Sequence, residues 1–182
     1  TGEGDPRNSV GYGWGVYRSI DGGDSWKHLG LKNTERIKRI VVDPNNPDIA
    51  CVCALGKEWG SNKERGVFKT TDGGKSWDKI LYIDEDTGCS DIAMENENPR
   101  VMYAGMWTFR RRPWRFDDGG KNTALYKTTD GGETWKKIMK GLPKSNMARP
   151  GIHIAQSNPN IVYLMTEFEG GGTAFISNDK GE

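Results

Sequence analysis

The stretch Thr70-Thr-Asp72-Gly-Gly74-Lys-Ser76-Trp77 decides the reading of this chain, because it recurs. Ser19-Ile-Asp21-Gly-Gly23-Asp-Ser25-Trp26 precedes it, and Thr128-Thr-Asp130-Gly-Gly132-Glu-Thr134-Trp135 follows. A fourth copy, Ser177-Asn-Asp179-Lys-Gly181-Glu182, stops before its Trp. The aspartates lie 51, 58 and 49 residues apart. A period of that size marks an array of supersecondary units, each too small to bury its own apolar face.

Each copy, called a box below, is first of all a turn. Asp-Gly between β-rich runs is a strong hairpin signal, since Gly accepts the positive φ of a tight turn. The Ser or Thr two residues ahead of the Asp, and the Asp itself, are placed to hydrogen-bond the turn backbone. The Trp is expected to anchor the next strand by burying its ring while its N–H finds a carbonyl. A calcium loop needs further oxygen ligands at alternating positions. Asp24, Lys75 and Glu133 occupy the variable site indifferently, so the box reads as structural and no metal is expected.

The flanking residues align as well. Short strands precede the boxes (Gly15–Arg18, Gly66–Lys69, Ala124–Lys127, Thr173–Ile176), and others follow, as in Asp78–Tyr82 and Lys136–Met139. Two further strands flank an Asn-Pro turn in each unit, around Pro47, Pro99 and Pro159. Four short strands per unit of about fifty residues is the pattern of a β-propeller blade, and no segment carries a helical period. The expected fold is all-β, a propeller fragment of three to four antiparallel blades. The expected partition is the tail of one blade (1–30), blades over 31–82 and 83–140, and an incomplete blade (141–182). The chain starts without Met and ends inside a box, so its first expected partners are the remaining blades of the same polypeptide.

Ser/Thr-x-Asp-x-Gly-x-Ser/Thr-Trp resembles the Asp-box, or bacterial neuraminidase repeat. Gly-Val-Phe/Tyr-Lys-Thr-Thr-Asp-Gly-Gly with Val-Asp-Pro-Asn-Asn-Pro resembles the sortilin-type propeller and its bacterial relatives, many labelled glycosyl hydrolase. The resemblance covers essentially the whole chain and implies the architecture, whereas fold does not fix activity. A sialidase would need an Arg triad facing a Tyr–Glu pair, and the arginines here do not map onto that set.

Composition fits a turn-rich β protein: 25 Gly, 8 Pro, 26 basic against 25 acidic residues, net charge +1 and mean hydropathy −0.76. That balance argues against nucleic-acid binding, and no apolar run approaches a membrane span. No cofactor is expected. Cys51 and Cys53 alternate along one strand and so share a face; they are poorly placed to bridge each other. Cys89 has only those two to pair with, and buried free thiols are the favoured reading.

In an up-and-down blade the Asn-Pro turns and the boxes share one face. The second-to-third-strand loops and the links between blades lie on the other, called here the loop face. Four of the seven Trp residues sit in or beside those loops, namely Trp14, Trp59, Trp107 and Trp114, along with Arg110, Arg111, Arg112 and Arg115. Rings that stack on sugars or side chains, and Arg forks for carboxylates, suit a glycan or an extracellular protein or peptide. The bland alternatives are Trp packing and Arg charges neutralised by Asp117, Asp118 and nearby Glu. Alignment on the Asn-Pro turns adds Arg39, Asp91 and His153 on the innermost strands. Arg39 and Asp91 are expected to form an ion pair between blades. A glycosidase needs two carboxylates, and Asp91 and Glu58 are the weak candidates. The expected function is a binding module of a secreted, periplasmic or cell-surface protein, with a glycoside hydrolase as the alternative.

Overall fold

The computed structural model describes residues 1–5, 9–169 and 171–182. Pro6, Arg7 and Asn8 of the first loop and Gly170 of the last fall outside that range. The described chain is all-β apart from one 3-10 turn at Lys32–Thr34. Strands β1 (Tyr17–Arg18) and β2 (Lys27–His28) form a two-stranded sheet. Next come β3 (Ile37–Asp43), β4 (Asn46–Ala54), β5 (Gly66–Thr70) and β6 (Asp78–Leu81), which pair antiparallel in that order. The third sheet runs β7 (Thr87–Met94), β8 (Met102–Arg112), β10 (Ala124–Thr128) and β11 (Lys136–Lys137), with β9 (Arg115–Asp118) added to the end of β8. The fourth has three strands, β12 (Gly151–Ile154), β13 (Val162–Phe168) and β14 (Gly171–Ser177). These are propeller blades, each written as a meander in chain order.

The hydrophobic core lies between the blades. Cys51, Cys53 and Val67 of the second blade pack against Ile92 and Met94 of the third, whose other face packs Tyr103 and Leu125 against Ile152 and Ile154 of the fourth. Strand β7 is therefore buried along all eight residues. Its counterpart β3 leaves Ile40 and Val42 exposed, on the side where the first sheet has two strands.

The boxes are staples built as their residues predict. In the second copy Thr70 Oγ1 donates to Asp72 Oδ1 and accepts from the Gly74 amide at 2.9 Å. Asp72 in turn accepts from the Ser76 amide (3.0 Å) and the Ser76 hydroxyl (2.6 Å). The other copies repeat the Ser/Thr-to-Asp and Gly-to-Ser/Thr bonds. In the last three copies the amide after the Asp bonds the carbonyl of the residue following an Asn-Pro turn (Asp48, Arg100, Asn160), which puts both turn types on one face as expected.

Neighbouring blades are joined head to tail through the same boxes. Arg18, Lys69 and Lys127, each just ahead of its own box, donate to the carbonyls of Gly73, Gly131 and Lys180 in the next. Gly74 and Gly132 have φ of 88° and 97°, and a Cβ on either would lie 2.5 Å from Leu29 Cδ1 or Ile80 Cδ1 of the preceding blade. Those glycines are required both by the turn and by what presses on it. The Trp residues behave less uniformly than expected. Trp77 reaches back to the Leu29 carbonyl at 2.7 Å, whereas Trp26 is exposed and bonds its own Gly23 carbonyl.

Hydroxyl and amide donors hold the Asp21, Asp72 and Asp130 carboxyls well below the ordinary carboxylate range. A depressed folded-state pKa contributes stability that is complete above the unfolded value of ~3.9 and is lost as pH falls through the folded one. Stability should thus be indifferent to these groups near neutrality and fall below about pH 5. Urea melts between pH 2 and 7 test this. Asp72→Asn with Asp130→Asn should flatten the acid limb, and an unchanged limb would remove the boxes as its cause.

Two further differences from expectation concern sulfur and the long loop. Cys53 and Cys89 form a disulfide joining β4 to β7 across two blades, while Cys51 stays a buried thiol. The favoured reading of three free thiols is corrected: Cys51 and Cys53 do share a face, and β7 brings Cys89 against that face. The segment Thr108–Asp118, expected as a loop between strands, is itself paired. It is a hairpin, with Arg112 opposite Arg115 and Phe109 opposite Asp118.

Candidate binding face

The loop face is held by a buried ionic bridge. Arg36, in the link before β3, donates to Glu58 Oε2 at 3.0 Å, and Arg111 of the hairpin lies 3.4 Å from Glu58 Oε1. Glu58 and Arg36 are 0% exposed. Burial pushes the Glu58 carboxyl above its usual range, with Arg36 and Arg111 pulling it back. Arg65 is equally buried, bonding the Asp86, Lys57 and Gly60 carbonyls, and its guanidinium lies 4.3 Å from the Phe109 ring centroid. Arg36 and Arg65 escaped the sequence reading because a lone Arg beside a strand carries no signal of burial.

The four loop-face Trp residues separate into two kinds. Trp107 is 2% exposed, stacks on Phe109 at 4.6 Å and donates from Nε1 to Asp118 Oδ1 at 2.8 Å. It pins the hairpin to the blade. By contrast, Trp14, Trp59 and Trp114 stay exposed, at 56%, 42% and 80%. The arginines are mostly answered by acids. Arg110 pairs with Asp86 at 3.6 Å, and Arg112 and Arg115 both pair with Asp117. Trp114 tops this hairpin between the last two.

Nearer the innermost strands the expected ion pair is present. Arg39 Nε lies 2.5 Å from Asp91 Oδ1, and Asp91 Oδ2 accepts from the Ile152 amide at 2.9 Å. One carboxylate thereby ties the second, third and fourth blades. Irregularities in register fall just ahead of Arg39 and Asp91 alike, between Ile37 and Arg39 and between Cys89 and Asp91. Such bulges re-aim side chains. His153 is exposed on β12 opposite Tyr163. A cleft beside Asp91 is lined by Asp118, Arg149 and Glu167 among others. At its rim Lys38 and Arg149 both contact Asp5, at 2.8 and 2.6 Å. Among the described residues no group of three or more His, Cys, Asp or Glu is arranged to hold a metal.

Residues 15–150 match the Sortilin-Vps10 family (Sortilin, neurotensin receptor 3). The chain belongs to that family. No curated protein matches it. Among solved structures, the fold is similar to a GH74 xyloglucanase from Xanthomonas campestris, with a TM-score of 0.70 and 17% identity over 93% of this chain and 26% of that one. It is also similar to the GH74 enzyme of Niastella koreensis (TM-score 0.67, 21% identity, 100% and 26% covered). An ancestral GH74 enzyme gives 0.68 and 21%, with 92% and 20% covered. At such identities these likenesses show the propeller alone. The Sortilin-Vps10 chain spans a fifth to about a quarter of the structures it matches. Among the described residues no helix is long and apolar enough to cross a membrane.

Proposed function

We propose that the chain is a binding module of an extracytoplasmic protein, taking a glycan or an extracellular protein or peptide on its loop face. One observation carries the reading: on that face three Trp rings are open to solvent while the candidate catalytic carboxylates are occupied. Trp14, Trp59 and Trp114 present open rings. Glu58 is sealed between Arg36 and Arg111, and Asp91 is held by Arg39 and the Ile152 amide. Glu58 is closed to solvent and Asp91 nearly so, which leaves them little access to a substrate, whereas exposed rings with a polar surround are what a ligand surface needs. The Cys53–Cys89 disulfide supports placement outside the reducing cytosol.

The second reading, a glycoside hydrolase, draws on the cleft where Asp91, Asp118 and Glu167 gather. A reducing-end assay of the full chain on soluble polysaccharides separates the two. The binding reading expects no turnover. Turnover that disappears in Asp91→Asn or Glu167→Gln, with thermal melts unchanged, would replace it with the hydrolase.

A further inference from the structure

The segment Gly11-Tyr12-Gly13-Trp14-Gly15 alternates glycine with aromatic residues, and the structure shows why. Tyr12 and Trp14 are exposed while Gly13 and Gly15 are buried, so both rings emerge on one side of the chain. The glycines allow backbone to lie directly on backbone. A Cβ on Gly13 would be 2.3 Å from the Thr1 carbonyl, and one on Gly15 would be 1.9 Å from the Gly30 oxygen. Three hydrogen bonds fix the layer: Gly13 N to Glu35 O (2.7 Å), Trp14 N to Thr1 Oγ1 (2.8 Å), and Trp14 O with His28 Nε2 (2.7 Å). Cations back both rings, Lys32 at 4.1 Å from Trp14 and the buried Arg36 at 5.5 Å from Tyr12. Both residues still stand open to solvent, Trp14 at 56% and Tyr12 at 60% exposed. Two large rings held rigidly open form a prepared surface, and preorganisation of this kind lowers the entropy lost on binding.

We propose that Tyr12 and Trp14 form a shelf that binds a neutral saccharide. This rests on the reading of the chain as a binding module and names a ligand class for one part of its loop face. The pocket beside the rings encloses about 590 Å³, within the ~300–1,000 Å³ usual for ligand sites. Its charged lining balances, with Lys32 and Lys57 against Glu35 and Glu64. Balanced donors and acceptors suit hydroxyl groups, which both give and take hydrogen bonds; a strongly anionic ligand would meet Glu35 and Glu64 at close range. Asn33 and Asn62 add neutral amide groups to the lining, Asn62 Nδ2 being held by the Asn33 carbonyl at 3.3 Å. The apolar faces of pyranose rings would stack on Tyr12 and Trp14. A proline-rich peptide fits less well, because its backbone lacks the donors that these acceptors require.

Isothermal titration of the full chain tests the shelf, with cellohexaose, mannohexaose and maltohexaose as neutral probes. Hexagalacturonate and a proline-rich decapeptide are the comparisons. At least one neutral hexamer should bind, more tightly than either comparison. Trp14→Ala should weaken it about ten-fold or more, as loss of a central aromatic anchor does. Tyr12→Ala should act in the same direction and keeps the test valid if Trp14→Ala fails to fold. Trp26→Ala, on the box face, should leave the affinity unchanged. Neutral hexamers that do not bind, or that bind undiminished after Trp14→Ala and Tyr12→Ala, overturn the shelf. Peptide binding that depends on Trp114 instead would discard the shelf and keep the binding module, whereas hydrolysis of any probe would count against the module itself.

Discussion

Replacing Glu58 by alanine is expected to lower the unfolding free energy by about 3–5 kcal/mol, the usual consequence of removing one partner from a buried ion pair. The reason is what the change leaves behind. Arg36 is fully buried and would keep its bond to the Gly56 carbonyl but no carboxylate partner among the described pairs, while Arg111 would lose its pairing with Glu58. An unpaired buried charge is far more costly than the loss of an exposed pair. Urea unfolding of the full chain, monitored by circular dichroism, gives the number. A Glu58→Ala variant as stable as the parent would show that the bridge is not holding the loop face. Glu58→Gln distinguishes structure from chemistry: if it abolished a polysaccharide-cleaving activity at unchanged stability, Glu58 would return as a catalytic group.

Opening the Cys53–Cys89 bond is the second large effect. Its two cysteines are 36 residues apart, and the chain-entropy relation for a loop of that length gives about 3–4 kcal/mol. Cys53→Ala, or melting with and without a strong reductant, should show a loss of this size and a lower Tm. Because the bond joins adjacent blades, the loss should appear as earlier separation of the second blade from the third. Amide exchange of β4 and β7 should rise ahead of that in β13. The remaining thiol does not confuse the measurement. Burial pushes Cys51 up to about 12, so it stays protonated and a poor nucleophile for exchange. A reduced chain with unchanged melting and exchange would show that the disulfide adds nothing to the seam.

The sequence carried the blades because their signals are local. The box turns need only a hydroxyl, a carboxylate and glycines at fixed spacing, and the Asn-Pro turns need only Pro. The Arg39–Asp91 pair was also legible, since alignment of the repeats superposes neighbouring inner strands. The disulfide was not. That Cys53 rather than Cys51 meets Cys89 depends on the register between two blades, and the irregularity ahead of Asp91 changes that register locally. Nor does composition tell Trp107 from Trp114, seven residues away in the same Arg-rich run. One is buried and the other exposed because the chain doubles back into β9, placing Phe116 and Asp118 beside Trp107 alone. One signal was present and passed unread: Arg18, Lys69 and Lys127 each stand immediately before a box. Their common position marks them as a repeated contact, and no local argument says with what.

That contact gives the array a direction. Every one of these cations reaches forward to the following box, and Leu29, Ile80 and Ile138, each three residues after a box Trp, press forward into the following glycine. The unit that can be copied is therefore not the four-stranded sheet but the stretch from one cation to the box it grips. A duplicated unit of that kind brings both halves of its seam with it, so tandem duplication can lengthen the protein without inventing an interface. Ile176 stands where the next cation would be. A unit grafted after it would lack the cation's bond to its box, so that seam would differ from the three earlier ones.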